Sequence, residues 1–231
     1  MNKAVMASSL QNENVPDNIV AGGTFADWKQ QAKSFSRMAL LRDASYNLSG
    51  EGGQLPQHVN AYVCSWDLFP TLGVDGAYGR LFNALDDRPG AGATVVLTWS
   101  LWRRRYGGDR SIIGKTILLD AKQYTVIGIL PDWFTYPDKR TQLWTPVYHE
   151  KSPFLMQVHG GHNFNVIARL KGDVTVSQAR AELQTLQKNI HREHPDEPVF
   201  DSANIRLLLE SVVKDAKTLS MCFLAQPDAY C

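Results

Sequence analysis

The amino-acid sequence predicts an α+β fold, in which strand and helix pairs stand on both sides of a central β-rich insert. The strand signal is clearest where residues 95–97 and 117–130 are rich in Val, Ile and Leu. The helix signal is clearest over residues 176–193, where apolar side chains recur at helical spacing. Two irregular stretches, 83–92 and 148–162, flank the insert, and the first is expected to be an exposed connection.

The first predicted helix begins at Thr24, whose hydroxyl can cap it, and presents Phe25, Trp28, Ala32 and Phe35 on one face. Strands and turns follow this helix in an order set by apolar runs and Gly residues. Their predicted ranges are a strand over 38–42, a loop over 47–53, a strand over 57–64 and a helical turn over 65–72 that ends at Gly73.

The central block, Val95 to Phe134, combines a strand, a short capped helix and a hairpin. Thr98 can cap the helix with its hydroxyl, and Gly107 can end it in the left-handed conformation. The helix carries one apolar stripe, which consists of Trp99, Trp102 and Tyr106. The hairpin is expected to join strands over 117–119 and 124–130 through a turn over 120–123.

A strand, a long helix and a last strand complete the predicted fold. Thr175 and Gln178 form a capping box at the start of the long helix, so this helix has the best-defined beginning. Its apolar stripe consists of Ala179, Leu183, Leu186 and Ile190. The two strands are expected over residues 164–170 and 205–209.

Several segments carry a family resemblance in one consistent order. The central block contains LWRRRYGGD, IIGKTILLD and YTVIGILPDWFTYP. The other segments are TFADWKQQAKSF (24–35), YVCSWDLFPTLGVDGAYGRLF (62–82), LWTPV (143–147) and NFNVIARLKGDVTVSQARAEL (163–183). Together they resemble the extracytoplasmic core domain of MacB-type ABC transporter permeases, over residues 24–215 of this chain.

The resemblance implies a two-lobed molecule. Residues 24–82 together with 163–210 would build a porter-like α/β lobe, and residues 83–161 would form a smaller, inserted β-rich lobe. Residues 1–23 precede the resemblance and are expected to be poorly ordered. Residues 216–231 are expected to form a divergent C-terminal tail.

The resemblance also implies a function. Such domains are non-catalytic, extracytoplasmic parts of permeases that act in export or transmit force across the membrane. The implied partners are a second permease copy in a dimer, a separate cytoplasmic ATPase subunit and a periplasmic adaptor, and no cofactor is implied. An alternative left open by the sequence is a free-standing soluble module that binds a ligand with the same two-lobed fold.

The sequence shows no membrane anchor of the kind that this resemblance calls for. No stretch approaches the roughly 20 apolar residues that a membrane span needs. Residues 1–18 lack the continuous apolar core of a signal peptide. In the family, one transmembrane helix precedes the domain and three follow it. We therefore expect this chain to be the periplasmic domain without its anchors.

The composition is typical of a folded domain and excludes two classes of partner. Hydrophobic residues make up 44% of the 231 residues and charged residues 20%, which suffices for a sizeable core. The formal net charge of +1 provides no field that would attract nucleic acid or an anionic membrane. Cys64, Cys222 and Cys231 are odd in number and lack paired spacing, so they predict neither a disulfide framework nor a metal site.

Two His pairs at a spacing of three residues are the strongest candidates for metal ligands. His159 and His162 belong to a Gly-containing loop, and His191 and His194 end the long predicted helix. Neither pair has an acidic or Cys residue at a recognisable ligand spacing. We therefore predict no metal site and no catalytic site. A hydrolase that uses these pairs or the acidic loop remains a third hypothesis.

The other candidate groups favour structural roles. Asp86 and Asp87 are neighbours in a loop rich in Pro and Gly, so they are expected to point apart into water. Ser65 and Ser100 lack the context of a nucleophile elbow, so nucleophilic catalysis has no support. The remaining motifs are Gly107–Gly108 and Gly160–Gly161, which lack the signature of a phosphate loop, and Arg103–Arg105, a basic cluster too small to predict nucleic-acid binding.

Overall fold

The structure is a computed structural model and describes residues 4–10, 19–50, 54–149 and 153–208. In these ranges a mixed sheet is accompanied by four α-helices, which confirms the predicted α+β class. The strands are β1 (Ala4–Leu10), β2 (Val20–Ala21), β3 (Phe35–Leu48), β4 (Gln57–Cys64), β5 (Tyr78–Gly79), β6 (Thr94–Leu97), β7 (Thr116–Leu119), β8 (Lys122–Ile129), β9 (Leu143–Pro146), β10 (His162–Leu170) and β11 (Ser202–Leu207). The helices are α1 (Gly22–Gln31), α2 (Leu68–Leu72), α3 (Trp99–Tyr106) and α4 (Val176–Glu193).

The long strand β3 connects the two halves of the sheet. Its first half, up to Leu41, pairs with β10, and its second half, from Leu41 to Leu48, pairs with β4. The strand order is β11-β1-β10-β3-β4-β9-β6-β8-β5, with β2 beside β10 and with β7 beside β8 and the end of β3. One strand therefore takes part in both halves, and a continuous backbone connects them.

The structure extends β3 well beyond the predicted range 38–42, to include residues 47 and 48 at the start of the predicted loop over 47–53. The stretch from Asp43 to Asn47 is mostly polar and lacks the apolar run that indicates a strand. Its order comes from the antiparallel register with β4, which runs from the pair Leu41–Cys64 to the pair Leu48–Gln57. The predicted strand over 57–64 coincides with β4.

The strands β11 and β1 lie next to each other at one edge of the sheet. They are antiparallel, with Val5 opposite Leu207 and Leu10 opposite Ser202. Residues 1–23 were expected to be poorly ordered. For residues 4–10 this expectation is corrected, because β1 is hydrogen-bonded to β10 on one side and to β11 on the other. As a result, the chain enters and leaves the described domain at neighbouring positions.

The helix α1 begins earlier and ends sooner than predicted. Its N-cap is Ala21, and Thr24 lies buried in the first turn instead of capping the helix. The helix stops before Phe35, which is the first residue of β3. The early start depends on Gly22, since a Cβ atom there would lie 2.1 Å from the Leu155 carbonyl oxygen. The backbone of α1 therefore packs directly against the segment that precedes β10.

The caps of the two later helices are confirmed. The Leu101 N–H donates to the Thr98 hydroxyl at the start of α3, and Gly107 ends that helix with a φ of 62°. Thr175 and Gln178 form the predicted capping box of α4. None of the helices in the described ranges combines the length and the apolar character needed to cross a membrane.

The buried face of α4 includes a polar residue that the predicted stripe omits. Gln187 is buried where the prediction had Leu186, which is only partly buried. Its Oε1 accepts a hydrogen bond of 3.0 Å from the indole Nε1–H of Trp28, and its Nε2 donates to the Phe200 carbonyl at 2.6 Å. This amide therefore joins α1 to α4 and to the segment that leads into β11.

The hairpin of β7 and β8 has a two-residue turn instead of the four-residue turn predicted. Leu119 pairs with Lys122, so that only Asp120 and Ala121 lie between the strands. Both turn residues have positive φ, 48° and 63°, as a type I′ turn requires. The turn positions carry Asp-Ala and not the Asn-Gly or Asp-Gly pair that usually signals this turn.

Buried apolar side chains form three clusters along the sheet. The first lies around α1, α4 and β10 and includes Trp28, and the second lies around α3 and the β7–β8 hairpin and includes Trp102. The third contains the alternate residues of the same strands, such as Trp144 next to Leu143 of the second cluster, so it lies on the opposite face of the sheet. There Phe69 of α2 packs edge-on against Trp144 of β9. The assignment of two lobes to residues 24–82 with 163–210 and to residues 83–161 stays a prediction.

Candidate functional site

The buried carboxylate of Asp87 binds two backbone segments that are far apart in the sequence. Its Oδ2 accepts the N–H of Trp66 at 2.9 Å, and its Oδ1 accepts the N–H of Tyr148 at 3.1 Å. Because Trp66 follows β4 and Tyr148 follows β9, one side chain holds the ends of two paired parallel strands together. Burial raises the pKa of Asp87, whereas the two backbone hydrogen bonds act to lower it.

Two further buried carboxylates have cationic partners. The Lys29 ammonium donates to Asp67 at 2.6 Å, and the Ser65 hydroxyl donates to the other oxygen of Asp67 at 2.7 Å. The Arg80 guanidinium donates to both oxygens of Asp86, at 2.5 and 2.8 Å. We call Asp67, Asp86 and Asp87 the acidic junction.

The expectation that Asp86 and Asp87 point into water is wrong. Their exposed fractions are only 5% and 7%. Burial of a carboxylate is tolerated when hydrogen bonds and opposite charges compensate for the lost water. Arg80 supplies this compensation to Asp86, and backbone N–H groups supply it to Asp87. Neither the bidentate arginine nor the distant backbone donors could be identified from the loop composition.

A second polar cluster joins α1, the segment before β10 and the residues that follow α4. Its members are Asp27, His159, His194 and Glu197, which we call the histidine cluster. The Nε2 atom of His159 lies 2.8 Å from Oδ2 of Asp27. The rings of His159 and His194 are stacked, with centroids 3.7 Å apart and an angle of 25° between the ring planes.

Glu197 contacts both imidazole rings of this cluster. Its Oε1 lies 3.1 Å from Nδ1 of His194 and 3.4 Å from Nδ1 of His159, and its Oε2 accepts the backbone N–H of His159 at 2.7 Å. That backbone hydrogen bond is the largest cause of the lowered pKa of Glu197. The longer contact is not a hydrogen bond, so Nδ1 of His159 is a buried nitrogen with no hydrogen-bond partner among the described residues.

The structure brings together one residue from each predicted His pair. His159 and His194 stack on each other, whereas Nδ1 of His191 hydrogen-bonds to the Val199 carbonyl at 2.8 Å. The side chain of His162 lies outside the described part of the structure. The predicted pair of His191 and His194 is therefore divided by the fold.

The acidic members of the histidine cluster were missed by the sequence analysis. Asp27 is separated from His159 by 132 positions, so no local spacing could have indicated it. Glu197 lies three residues after His194 and was visible as a neighbour. Its contact with His159 depends on the turn after α4, which the sequence pattern did not define.

The remaining candidate residues have structural partners. The Leu40 N–H donates to the Ser65 hydroxyl at 3.0 Å, and Ser100 hydrogen-bonds to Thr98 at 3.2 Å. The Arg105 guanidinium donates to the Ser49 carbonyl at 2.7 Å. Cys64 is buried, and the loss of hydration raises the pKa of its thiol well above the usual value. Cys222 and Cys231 lie outside the described residues.

Comparison with known sequences identifies a family. Residues 6–186 match the family model of the MacB-like periplasmic core domain. The Macrolide export ATP-binding/permease protein MacB of Aggregatibacter actinomycetemcomitans is 23% identical over 204 residues, which cover 84% of this chain and 31% of that protein. The chain therefore spans about a third of the length of this curated relative.

Three solved structures have a similar fold. The periplasmic region of MacB from Actinobacillus actinomycetemcomitans gives a TM-score of 0.64 at 17% identity and covers 98% of this chain and 94% of its own. The extracellular domain of the noncanonic ABC-type transporter YknZ from Gram-positive bacteria gives a TM-score of 0.63 at 12% identity. This match covers 88% of the present chain and 99% of that domain. A permease domain from Porphyromonas gingivalis gives 0.66 at 14% identity, with 88% of each chain covered.

Proposed function

The chain belongs to the MacB-like periplasmic core domain family, and from this premise we propose that it is a non-catalytic domain of an ABC-type permease, acting in export or in force transmission. Domains of this family are extracytoplasmic, and so is this one. The observation that carries the proposal is the family match over residues 6–186, since it includes strands from both halves of the sheet.

The neighbouring outer ends of β1 and β11 support a mechanical role. Val5 of β1 lies opposite Leu207 of β11, so segments attached at the two ends would leave the domain side by side. In a permease, these attachment points would connect to membrane helices on either side of the domain. A change in the spacing or tilt of those helices would then act directly on two neighbouring strands.

The acidic junction supports the same role because it makes the middle of the domain resistant to deformation. Asp87 joins the ends of β4 and β9, and Asp67 is joined to α1 through Lys29. Movement delivered at the edge strands would therefore pass through β3 into the rest of the sheet. The proposed partners are a second permease copy, a separate cytoplasmic ATPase subunit and a periplasmic adaptor.

A second candidate function is a free-standing module that binds a small polar ligand. A specific feature favours it, which is an open cleft of about 380 Å³ on the side of the sheet formed by β3 and β4. The cleft is lined by charged and polar groups that include Asp43, His58, Tyr62, Asp138 and Arg140. Its volume lies in the range of small-molecule sites.

The DNA that flanks the reading frame distinguishes these two functions. If the chain is a permease domain, all-frame translation should reveal apolar segments of about 20 residues on both sides of it. If neither flank encodes such a segment, the permease proposal fails and the binding module becomes the leading function. Ligand screening of the purified domain would then be directed at the cleft.

A disulfide clamp tests the mechanical role within a permease that contains this domain. The pair V5C and L207C would face each other in the antiparallel strands β1 and β11. Opposite Cα atoms in such strands lie about 4.5–5.5 Å apart, which is within the range of a disulfide. Oxidation should abolish transport and reduction should restore it, because the chain ends can no longer separate. The control pair S9C and A203C joins the same strands away from the ends and should leave transport largely unchanged. Unaltered transport in the oxidised V5C/L207C protein would contradict the mechanical role.

A further inference from the structure

We propose that the histidine cluster is a binding site for one Zn²⁺ ion, with Asp27, His159 and His194 as ligands. One donor atom from each of these residues lies within 4.8 Å of the other two. Two imidazoles and a carboxylate form a donor set that Zn²⁺ readily accepts, with a fourth position left for water. This site is independent of the proposed permease function and of the cleft.

The orientation of the rings indicates which atoms face the ion. Both Nδ1 atoms, of His159 and of His194, face Oε1 of Glu197. Because the two rings are stacked, their Nε2 edges lie on the opposite side, where Oδ2 of Asp27 is 2.8 Å from Nε2 of His159. Nε2 is therefore the donor atom of each histidine, and Asp27 completes the set.

Glu197 would orient the ligands without binding the ion. A carboxylate that accepts the second N–H of a metal-bound imidazole fixes both the tautomer and the direction of the ring. Glu197 is held for this task by the backbone N–H groups of His159 and Gly160, at 2.7 and 3.3 Å from its Oε2. A small shift of His159 towards Glu197 on binding would also satisfy its unpartnered Nδ1.

Charge and access are both suitable for a divalent cation. With neutral imidazoles, the two carboxylates give the cluster a charge of −2, which Zn²⁺ would balance. The side chain of His159 is only 10% exposed, whereas those of Asp27 and His194 are 28% and 32% exposed. The ion can therefore enter from solvent on the side of Asp27 and His194 and bind the buried ligand His159.

Binding requires the two stacked rings to open, because the lone pair of an imidazole nitrogen lies in the plane of its ring and nearly parallel rings cannot both point at one ion. Ligand atoms around tetrahedral Zn²⁺ lie about 3.3 Å apart, given metal–ligand distances of about 2.0–2.1 Å. Closing from separations of at most 4.8 Å requires rotation of Asp27 and His194, which solvent exposure permits. The backbone under His159 need not move, since the Gly23 N–H donates to the Val158 carbonyl at 3.0 Å and holds that segment on α1.

The acidic junction offers no comparable site. Its carboxylates already accept hydrogen bonds from Lys29, Arg80 and backbone N–H groups. A cation entering there would have to displace these donors. The histidine cluster is therefore the stronger metal-site candidate among the described residues.

Calorimetric titration of the tag-free, chelator-treated and reduced chain with Zn²⁺ at pH 7.5 tests this inference. Wild-type protein should bind one equivalent of Zn²⁺. The double variant D27N/H194A should bind Zn²⁺ with an affinity at least about 100-fold lower. E197Q should weaken binding by about 10–100-fold, as expected for a residue that orients ligands. H191A removes a histidine outside the cluster, whose Nδ1 hydrogen-bonds to the Val199 carbonyl, and should bind like wild type.

Two results would overturn the site. One is a wild-type stoichiometry and affinity equal to those of D27N/H194A, with both proteins shown to be folded by circular dichroism. The other is a rise in melting temperature with Mg²⁺ that equals the rise with Zn²⁺. Mg²⁺ prefers oxygen ligands and should not select this cluster.

Discussion

The acidic junction and the histidine cluster contain similar groups in different states of hydrogen bonding. At the junction, every carboxylate has donors that are fixed in place, such as the N–H groups of Trp66 and Tyr148 around Asp87. In the cluster, a buried nitrogen of His159 lacks a partner, and the other members are partly exposed. Burial with complete hydrogen bonding thus indicates a structural role, whereas incomplete hydrogen bonding near solvent indicates capacity for a ligand.

The largest expected effect is at the centre of the junction. D87A would leave the backbone N–H groups of Trp66 and Tyr148 without their acceptor, at the point where β4 and β9 end. Because each of these two unpaired, partly buried donors costs about 1–3 kcal/mol, the free energy of unfolding should fall by about 2–6 kcal/mol. Urea denaturation followed by Trp fluorescence measures this change.

The control for this variant is D75A, which removes an exposed carboxylate. Its free energy of unfolding should stay within about 0.5 kcal/mol of the wild-type value. If D87A were no less stable than D75A, the junction would not hold the strands, and its contrast with the histidine cluster would disappear.

An intermediate effect is expected where α1 packs beneath the histidine cluster. In G23A the new Cβ atom would lie 2.9 Å from Cε1 of His159 and 2.9 Å from the Val158 carbonyl oxygen. Relief of this overlap should cost about 1–3 kcal/mol of stability, and it should displace the ring of His159. Thermal denaturation measures the first effect, and the Zn²⁺ titration measures the second. G92A is the matched control, since nothing lies within 4 Å of its new Cβ atom.

The smallest effect extends the comparison to a third carboxylate, Glu182 of α4. It accepts the backbone N–H groups of Lys33 and Ser34 at 2.7 and 2.9 Å. Burial raises the pKa of Glu182, but the hydrogen bonds from Ser34 and Lys33 outweigh it and the net pKa is lowered. The stabilisation is therefore present above the unfolded-state pKa of about 4.3 and is lost as the pH falls through the lowered folded-state value.

E182Q should consequently be less stable than wild type by up to about 1 kcal/mol at pH 7, and the difference should vanish towards pH 3. Melting temperatures measured from pH 3 to pH 7 follow this dependence. E193Q alters an exposed residue of the same helix and should match the wild type. A deficit in E182Q that is as large at pH 3 as at pH 7 would show that the ionised carboxylate is not responsible.

Features determined by neighbouring residues were predictable from the sequence. The capping box of Thr175 and Gln178, the cap at Thr98 and the left-handed Gly107 each depend on contacts within a few positions. The strand β4 was also predicted over its full length, because its own residues carry the β pattern. Such local signals also supported the family resemblance, which the match over residues 6–186 confirms.

Features determined by distant partners were not predictable. The second half of β3 and the whole of β1 are ordered by pairing with other strands and not by their own composition. Gln187 is buried because Trp28 supplies its partner, and Asp27 joins His159 across 132 positions. The candidate site consists largely of such contacts, so the sequence identified two of its histidines but neither their pairing nor their acidic neighbours.

The side-by-side outer ends of β1 and β11 have a consequence for how the sheet would respond to an applied force. Val5 lies opposite Leu207, so a force that pulls these two strand ends apart, perpendicular to the strands, would break the hydrogen bonds between β1 and β11 one after another. Forces that pull one end lengthwise along its strand would strain many of these hydrogen bonds together and meet greater resistance. The fold would thus resist force along the strands more strongly than force perpendicular to them. The weaker contact would be the pairing of β1 with β11 at the edge of the sheet.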